Sequence, residues 1–259
     1  MHLSHPIQHF SQQGFALLTG AVPGASLANI RHELLQVSKR LGAPKETETV
    51  DAAWNYFKLN NRRKGSLLYN AFKRLPAVHR LATDPNLIRA IQLATGYEMP
   101  ALIDVNCRID SAGEDEYLFD WHQDYWFSVS STNAGVVWIP LERIDEGTGG
   151  IELLSLETSG TRVFKTTPGS TYNSYADAVK LAEELPAGPV IGVPMEPGDA
   201  LLVFKFNILH RSKPVLAKDR SRFTMQLRFV DLTDPQFIAN DYKPGTVSNA
   251  NIDYLNQEN

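Results

Sequence analysis

At Met99 the hydrophobic period of this chain changes from about 3.6 to 2, so the fold must set helices beside a strand-rich body. Before that point, Leu27, Ile30, Leu34, Val37 and Leu41 recur every three or four residues. This spacing predicts an amphipathic helix with Ser26 as its N-cap and Gly42 as its stop. Further helices are expected over roughly Lys64–Leu75 and, behind Asp84-Pro85, over Asn86–Thr95. Residues 43–63 are polar and without clear period, apart from Trp54, Tyr56 and Phe57. Beyond Met99, Ile103, Val105, Cys107 and Ile109 alternate with Asp104, Asn106 and Arg108. Strand-like runs follow at 135–142, 151–156, 162–166, 190–194, 200–206 and 222–230, and Gly14–Gly20 reads as an early strand. Val179–Leu185 reads as one brief helical insertion. The class is α+β, with a jelly-roll or double-stranded β-helix (cupin-like) core and flanking N-terminal helices. No linker, repeat or low-complexity stretch divides the chain, so a single domain over 1–259 is expected.

Inside the strand-rich part stands His122-Gln123-Asp124, and His210 follows 88 positions after His122. Alternate residues of a strand project the same way, so His-x-Asp supplies two adjacent ligands from one short segment. A third ligand from a partner strand completes a two-histidine, one-carboxylate face, which holds an octahedral Fe(II) and leaves the opposite face open. The competing reading makes His122 and His210 ordinary hydrogen-bonded histidines and Asp124 a turn cap. His2, His5, His9, His32 and His79 have no carboxylate two residues away and read as solvated.

The surroundings favour the metal. The first pair lies in Trp121-His122-Gln123-Asp124-Tyr125-Trp126 and is followed by Val136-Val137-Trp138-Ile139-Pro140-Leu141. Pro197-Gly198-Asp199-Ala200-Leu201-Leu202-Val203-Phe204 leads to His210-Arg211-Ser212, and Arg222 lies 12 residues past His210 in Arg222-Phe223-Thr224-Met225-Gln226-Leu227-Arg228. These blocks, in this order, resemble the phytanoyl-CoA dioxygenase family of Fe(II)- and 2-oxoglutarate-dependent oxygenases. The resemblance spans roughly residues 10–230 and is sharpest at 121–142 and 197–229.

The resemblance implies that His122, Asp124 and His210 hold iron and that 2-oxoglutarate is consumed with O2, giving succinate and CO2 while an unactivated C–H bond is oxidised. It implies that Arg222 clamps the distal carboxylate of 2-oxoglutarate, a task that suits the planar guanidinium fork. Arg220 is the alternative, because a small loop insertion would shift the count; otherwise Arg220 and Arg228 read as surface salt-bridge residues. Ser212 is implied as a second donor to the same carboxylate, and Trp138 as a neighbour of the cosubstrate, though turn and core-packing roles stand beside these two. Gly198 and Asp199 read as turn residues. Relatives often carry Pro-Gly-Ser-His after the Gly-Gly strand, where this chain has Leu156-Glu157-Thr158-Ser159-Gly160, so similarity of substrate is in question. In related halogenases the carboxylate is a small residue; Asp124 therefore favours hydroxylation.

Composition narrows the partners. A net charge of −4 without a basic block argues against nucleic acid and against an acyl-CoA phosphate site. No stretch approaches the ~18 apolar residues of a membrane span. The one cysteine, Cys107, reads as a buried structural thiol in a reducing cytoplasm. The expected partners are a small-molecule substrate and O2, and Trp54–Phe57, Asp120–Phe127 and Thr171–Tyr175 are expected at the cavity mouth. A cupin-like barrel that binds metal or ligand without turnover is the alternative from another class.

Overall fold

The computed structural model describes residues 6–124, 131, 133–166, 181–203 and 208–243. The N-terminal part comprises α1 (Pro6–Gln13), β1 (Phe15–Leu18), α2 (Gly24–Arg40), α3 (Val50–Asn60), α4 (Arg62–Phe72), α5 (Pro76–Ala82) and α6 (Pro85–Thr95). Then come β2 (Pro100–Ser111), β3 (Gly135–Pro140), β4 (Ile151–Leu153), α7 (Leu156–Ser159), β5 (Ile191–Gly192), β6 (Ala200–Val203), β7 (His210–Ser212), β8 (Ser221–Asp231) and α8 (Pro235–Ala239). A five-stranded sheet runs β1-β6-β3-β8-β2 and a three-stranded sheet β5-β4-β7, all antiparallel. The two sheets form the double-stranded β-helix of an α+β protein. Among the described residues no helix is long and apolar enough to cross a membrane.

The helices follow local chemistry. Asp84 accepts from the amides of Asn86 and Leu87, Pro85 takes the first position of α6, and Gly96 ends it at φ 78°. In α2 the expected Leu27, Ile30 and Leu34 are buried, but the helix starts two residues before Ser26, behind Pro23, with no side-chain cap. Two helices escaped the period test. Thr49 caps α3 through the Ala52 amide, and Val50, Ala53, Trp54 and Phe57 form its buried face; α5 is only seven residues long and opens on Pro76. The predicted 64–75 helix begins earlier, where Asn61 caps α4.

The long strands β2 and β8 organise the molecule. They pair in register from Asp104↔Arg228 to Ser111↔Ser221, with a bulge between Leu102 and Asp104. Their alternation was expected, but its sense is inverted relative to a surface sheet. Cys107, Ile109, Phe223, Met225, Leu227 and Phe229 face the helices and join one core with Phe57, Leu68 and Phe72. The polar alternates Asn106, Arg108, Gln226 and Arg228 face inward and line a cavity between the sheets. Burial pushes the Cys107 thiol pKa well up, as fits a structural thiol.

Phe223 and Phe72 meet edge to face at 6.2 Å, so Phe223→Ala is expected to cost about 3–5 kcal/mol in urea unfolding. A cost below about 1 kcal/mol would mean the helices are not seated on β8. Other expected strands shorten: 151–156 stops at Leu153 because Leu156 opens α7, and 162–166 leaves only a bridge from Thr166 to Leu181. The helix expected over Val179–Leu185 is absent from 181–185, which carry that bridge and irregular backbone; 179 and 180 lie outside the described residues. The three-residue β7 was too short to read from sequence.

Candidate active site

The bridge between His122 and His210 is the hinge of the site. Each amide donates to the other's carbonyl at 3.0 Å, extending the small sheet by one pair and bringing the imidazoles together, tilted by 47°, at 4.2 Å between centroids. Two residues on, Asp124 turns the same way, with Oδ1 3.6 Å from His122 Nε2 and 3.8 Å from His210 Nε2. One ligand atom from each of the three residues lies within 4.8 Å of the others. Gln123, pointing oppositely, is buried and accepts from the Phe164 amide while donating to the Arg162 carbonyl, which ties the turn to that segment.

The protonation states suit a metal. His122 Nδ1 donates to the Asp120 carbonyl at 2.7 Å and His210 Nδ1 to the Ile208 carbonyl at 3.2 Å, which leaves both Nε2 lone pairs facing the centre. Burial and the neighbouring His122 pull His210 down to about 4, so it is neutral at pH 7. Burial works against the charge of Asp124, but Arg228 and the two imidazoles outweigh it and hold its carboxyl well below the usual range. Two imidazoles with Nε2 turned to the centre and an ionised carboxylate on one side, with a cavity on the other, can hold a divalent first-row metal in open-faced octahedral geometry.

That cavity measures about 490 Å³, within the range of small-molecule sites. Trp138 and Ser212, both singled out by sequence, line it. Tyr69 of α4 and Lys73, the residue that caps its C-terminus, reach into it from the helical side. Arg222 does not line it, although it is buried just beyond the inner wall. Its Nε and Nη2 both bond Asp110 Oδ2, at 3.2 and 3.0 Å, and its Nη1 meets the carbonyls of Thr148, Gly150 and Lys213. Arg220 pairs with Asp145 at 2.9 Å, partly exposed, as a surface pair. Arg228 corrects the expectation of another: it is 5% exposed, lines the cavity, and bonds Asp104 at 2.7 Å and Asp124 Oδ2 at 3.4 Å.

Several other expectations shift. Trp54 and Phe57 are core residues, Trp54 donating to Ser111 Oγ at 2.7 Å, and do not line the mouth. Of Asp120–Phe127 only 120–124 are described, and Thr171–Tyr175 lies outside the described residues. Leu156–Ser159 packs by α1, with Leu156 against Gly14, and does not line the cavity. Gly198, at φ 106°, and Asp199 serve a turn, Asp199 accepting from the amides of Gly20 and Glu196. Arg108, which lines the cavity, and Asp110, which pairs with both Arg108 and Arg222, were not singled out from sequence; their signal was the strand period itself.

Comparisons with known proteins agree with this geometry. No curated protein sequence matches the chain significantly. Among solved structures, the epimerase SnoN in complex with Fe3+, alpha ketoglutarate and nogalamycin RO superposes with TM-score 0.57 at 19% identity, over 94% of this chain and 90% of that one. The non-heme alpha ketoglutarate dependent carbocyclase SnoK gives 0.58 at 13% identity, over 94% and 92%. HygX from Streptomyces hygroscopicus, with nickel and 2-oxoglutarate bound, gives 0.52 at 12% identity, over 88% and 86%. At such identities the likeness is one of fold. The phytanoyl-CoA dioxygenase (PhyH) family profile matches residues 10–224, most of the sequence, and the chain belongs to that family.

Proposed function

We propose that this protein is an Fe(II)- and 2-oxoglutarate-dependent dioxygenase that hydroxylates an unactivated C–H bond of a small metabolite. The observation that carries this reading is the convergence of His122, Asp124 and His210 at the wall of the inner cavity, their ligand atoms within 4.8 Å. In this reading the three hold iron, Ser212 and Trp138 flank 2-oxoglutarate in the cavity, and Arg222 acts on its distal carboxylate from just behind the wall. When bound, iron and 2-oxoglutarate activate O2 and supply the oxidising power, the cosubstrate leaving as succinate and CO2. The chain's own residues orient and exclude. The carbonyls of Asp120 and Ile208 fix the two imidazoles. Arg228 occupies Asp124 Oδ2, which leaves Oδ1 as the oxygen facing both histidines.

The residues 1–259 act as one catalytic domain, since α4 and its C-cap contribute Tyr69 and Lys73 to a cavity whose histidines come from the barrel. The single buried, free cysteine suits a cytoplasmic protein. The presence of Asp124, where a halide would otherwise sit on iron, supports hydroxylation over chlorination.

The test is direct. Anaerobic protein with Fe(II) is expected to develop a visible charge-transfer band on adding 2-oxoglutarate, and to release succinate on admitting O2. Metabolites that raise succinate release above the uncoupled rate identify the substrate. A chlorinated product from the wild type overturns hydroxylation, and neither band nor succinate identifies a barrel that binds without turnover.

A further inference from the structure

Three cationic side chains line the inner cavity among the described residues, and two of them are paired. Arg108 meets Asp110 at 2.6 Å and Arg228 meets Asp104 at 2.7 Å. Lys73 lines the same cavity, half-buried, and has no ion pair among the described residues. An ammonium drawn partly out of water without a counter-ion is destabilising. Its place on a cavity wall calls for a ligand that supplies one.

Tyr69 stands beside it. Tyr69 and Lys73 are four residues apart at the end of α4, and Lys73 keeps helical angles (φ −68°, ψ −10°), so both project from one face. Tyr69 also lines the cavity, and its hydroxyl has no hydrogen-bond partner among the described residues. Burial pushes its pKa up, so the hydroxyl keeps its proton and can donate.

Lys73 marks the mouth. An outer groove of about 460 Å³ shares Lys73, Asp104 and Val105 with the inner cavity, and His122, Asp124 and His210 do not line it. Arg74 lines this groove, and the His79 ring bonds the Lys73 carbonyl at 3.1 Å, which fixes the turn after α4. An anion is drawn in past Arg74 and meets Lys73 before it reaches the metal face.

Charge balance in the loaded site selects the anion. Fe(II), 2-oxoglutarate and Asp124 together carry one formal negative charge, which the excess of Arg108 and Arg222 over Asp110 offsets. Arg228 and Asp104 offset each other. Lys73 is left with one positive charge. A carboxylate answers it with one negative charge, whereas a phosphate monoester brings about −1.5 to −2 at pH 7.

We propose that the substrate is a carboxylic acid, and that Lys73 and the Tyr69 hydroxyl bind its carboxylate at the mouth while the rest of the molecule extends toward the metal face. This rests on the cosubstrate reading above. Lys73 supplies a charge-assisted bond and Tyr69 a neutral one, so removing the lysine costs more.

The test titrates anaerobic protein loaded with Fe(II) and 2-oxoglutarate, by calorimetry, with hexanoate, benzoate and hippurate, each beside its uncharged carboxamide. The wild type is expected to prefer at least one acid to its amide by about 10- to 100-fold. Lys73→Met is expected to abolish that preference without changing the affinity for the amide, and Tyr69→Phe to reduce it about 3- to 10-fold. Should Lys73→Met fail to fold, Lys73→Gln carries the same titration. No acid preferred to its amide, or a preference that survives loss of the lysine, overturns the assignment. In Lys73→Met the charge-transfer band is expected to titrate with 2-oxoglutarate as in the wild type; a comparable loss there gives Lys73 to the cosubstrate and also overturns the assignment. Absence of any band in the wild type overturns the cosubstrate reading itself, whereas a normal band without acid preference overturns this assignment alone.

Discussion

Alanine at His122, Asp124 or His210 abolishes iron-dependent turnover, because an open-faced Fe(II) needs all three donors to stay bound in an oxidising cycle. The three variants differ in what else they lose. His122→Ala and His210→Ala each remove one ring from a tilted pair whose backbone bridge remains, so the fold is expected to persist. Asp124→Ala also takes one of two carboxylates from the buried Arg228, leaving Asp104 as its partner. That variant is expected to be the least stable, since removing one side of a buried ion pair is the costly kind of change. Metal content after dialysis and succinate release, set beside urea midpoints, separate the two effects. Full turnover in any one of the three variants would sink the assignment of the metal site.

Arg222→Ala is expected to weaken 2-oxoglutarate by about 2–5 kcal/mol, the scale for truncating one side of a buried charge pair. Arg108 and Arg222 together leave one positive charge in excess over Asp110; without Arg222 the carboxylate meets Arg108 alone, that excess vanishes, and a second carboxylate is no longer attracted. Arg220→Ala is expected to cost only ~0–1 kcal/mol, because its pair with Asp145 is solvent-screened at 42% and 36% exposure. Iron binding survives both changes. Titrating the cosubstrate band measures the difference, and a crippled Arg220→Ala with an intact Arg222→Ala would move the anion site to the other end of the Asp145 turn.

The triad was legible because its signal is chemical as well as periodic: two residue types at strand spacing, with a third in a matching block. The long strands were legible for the same reason, as an alternation in β2 and β8. What sequence did not yield was which side of those strands is wet. Asn106, Arg108, Gln226 and Arg228 read like an exposed face, and Arg228 was accordingly assigned to the surface. A closed barrel has an inside that can be as polar as water, and the helices claim the outside. The missed helices have a different cause. Thr49 and Pro76 start segments too short or too polar for a period to emerge, and packing against the sheet stabilises them more than propensity does. The three-residue strand β7 owes its place to His210 and its partner His122, a contact no local pattern encodes.

The parity of β8 carries a consequence for how such a protein changes over time. Phe223, Met225, Leu227 and Phe229 pack with the helices, whereas Gln226 and Arg228, of the opposite parity, line the cavity. A comprehensive mutational scan along this strand should therefore oscillate, with abundance lost at odd positions and selectivity at even ones. Because the two sets share a backbone but few atoms, new chemistry can be explored on one without loosening the other. A lineage could retire one substrate and adopt another while its scaffold stays nearly constant.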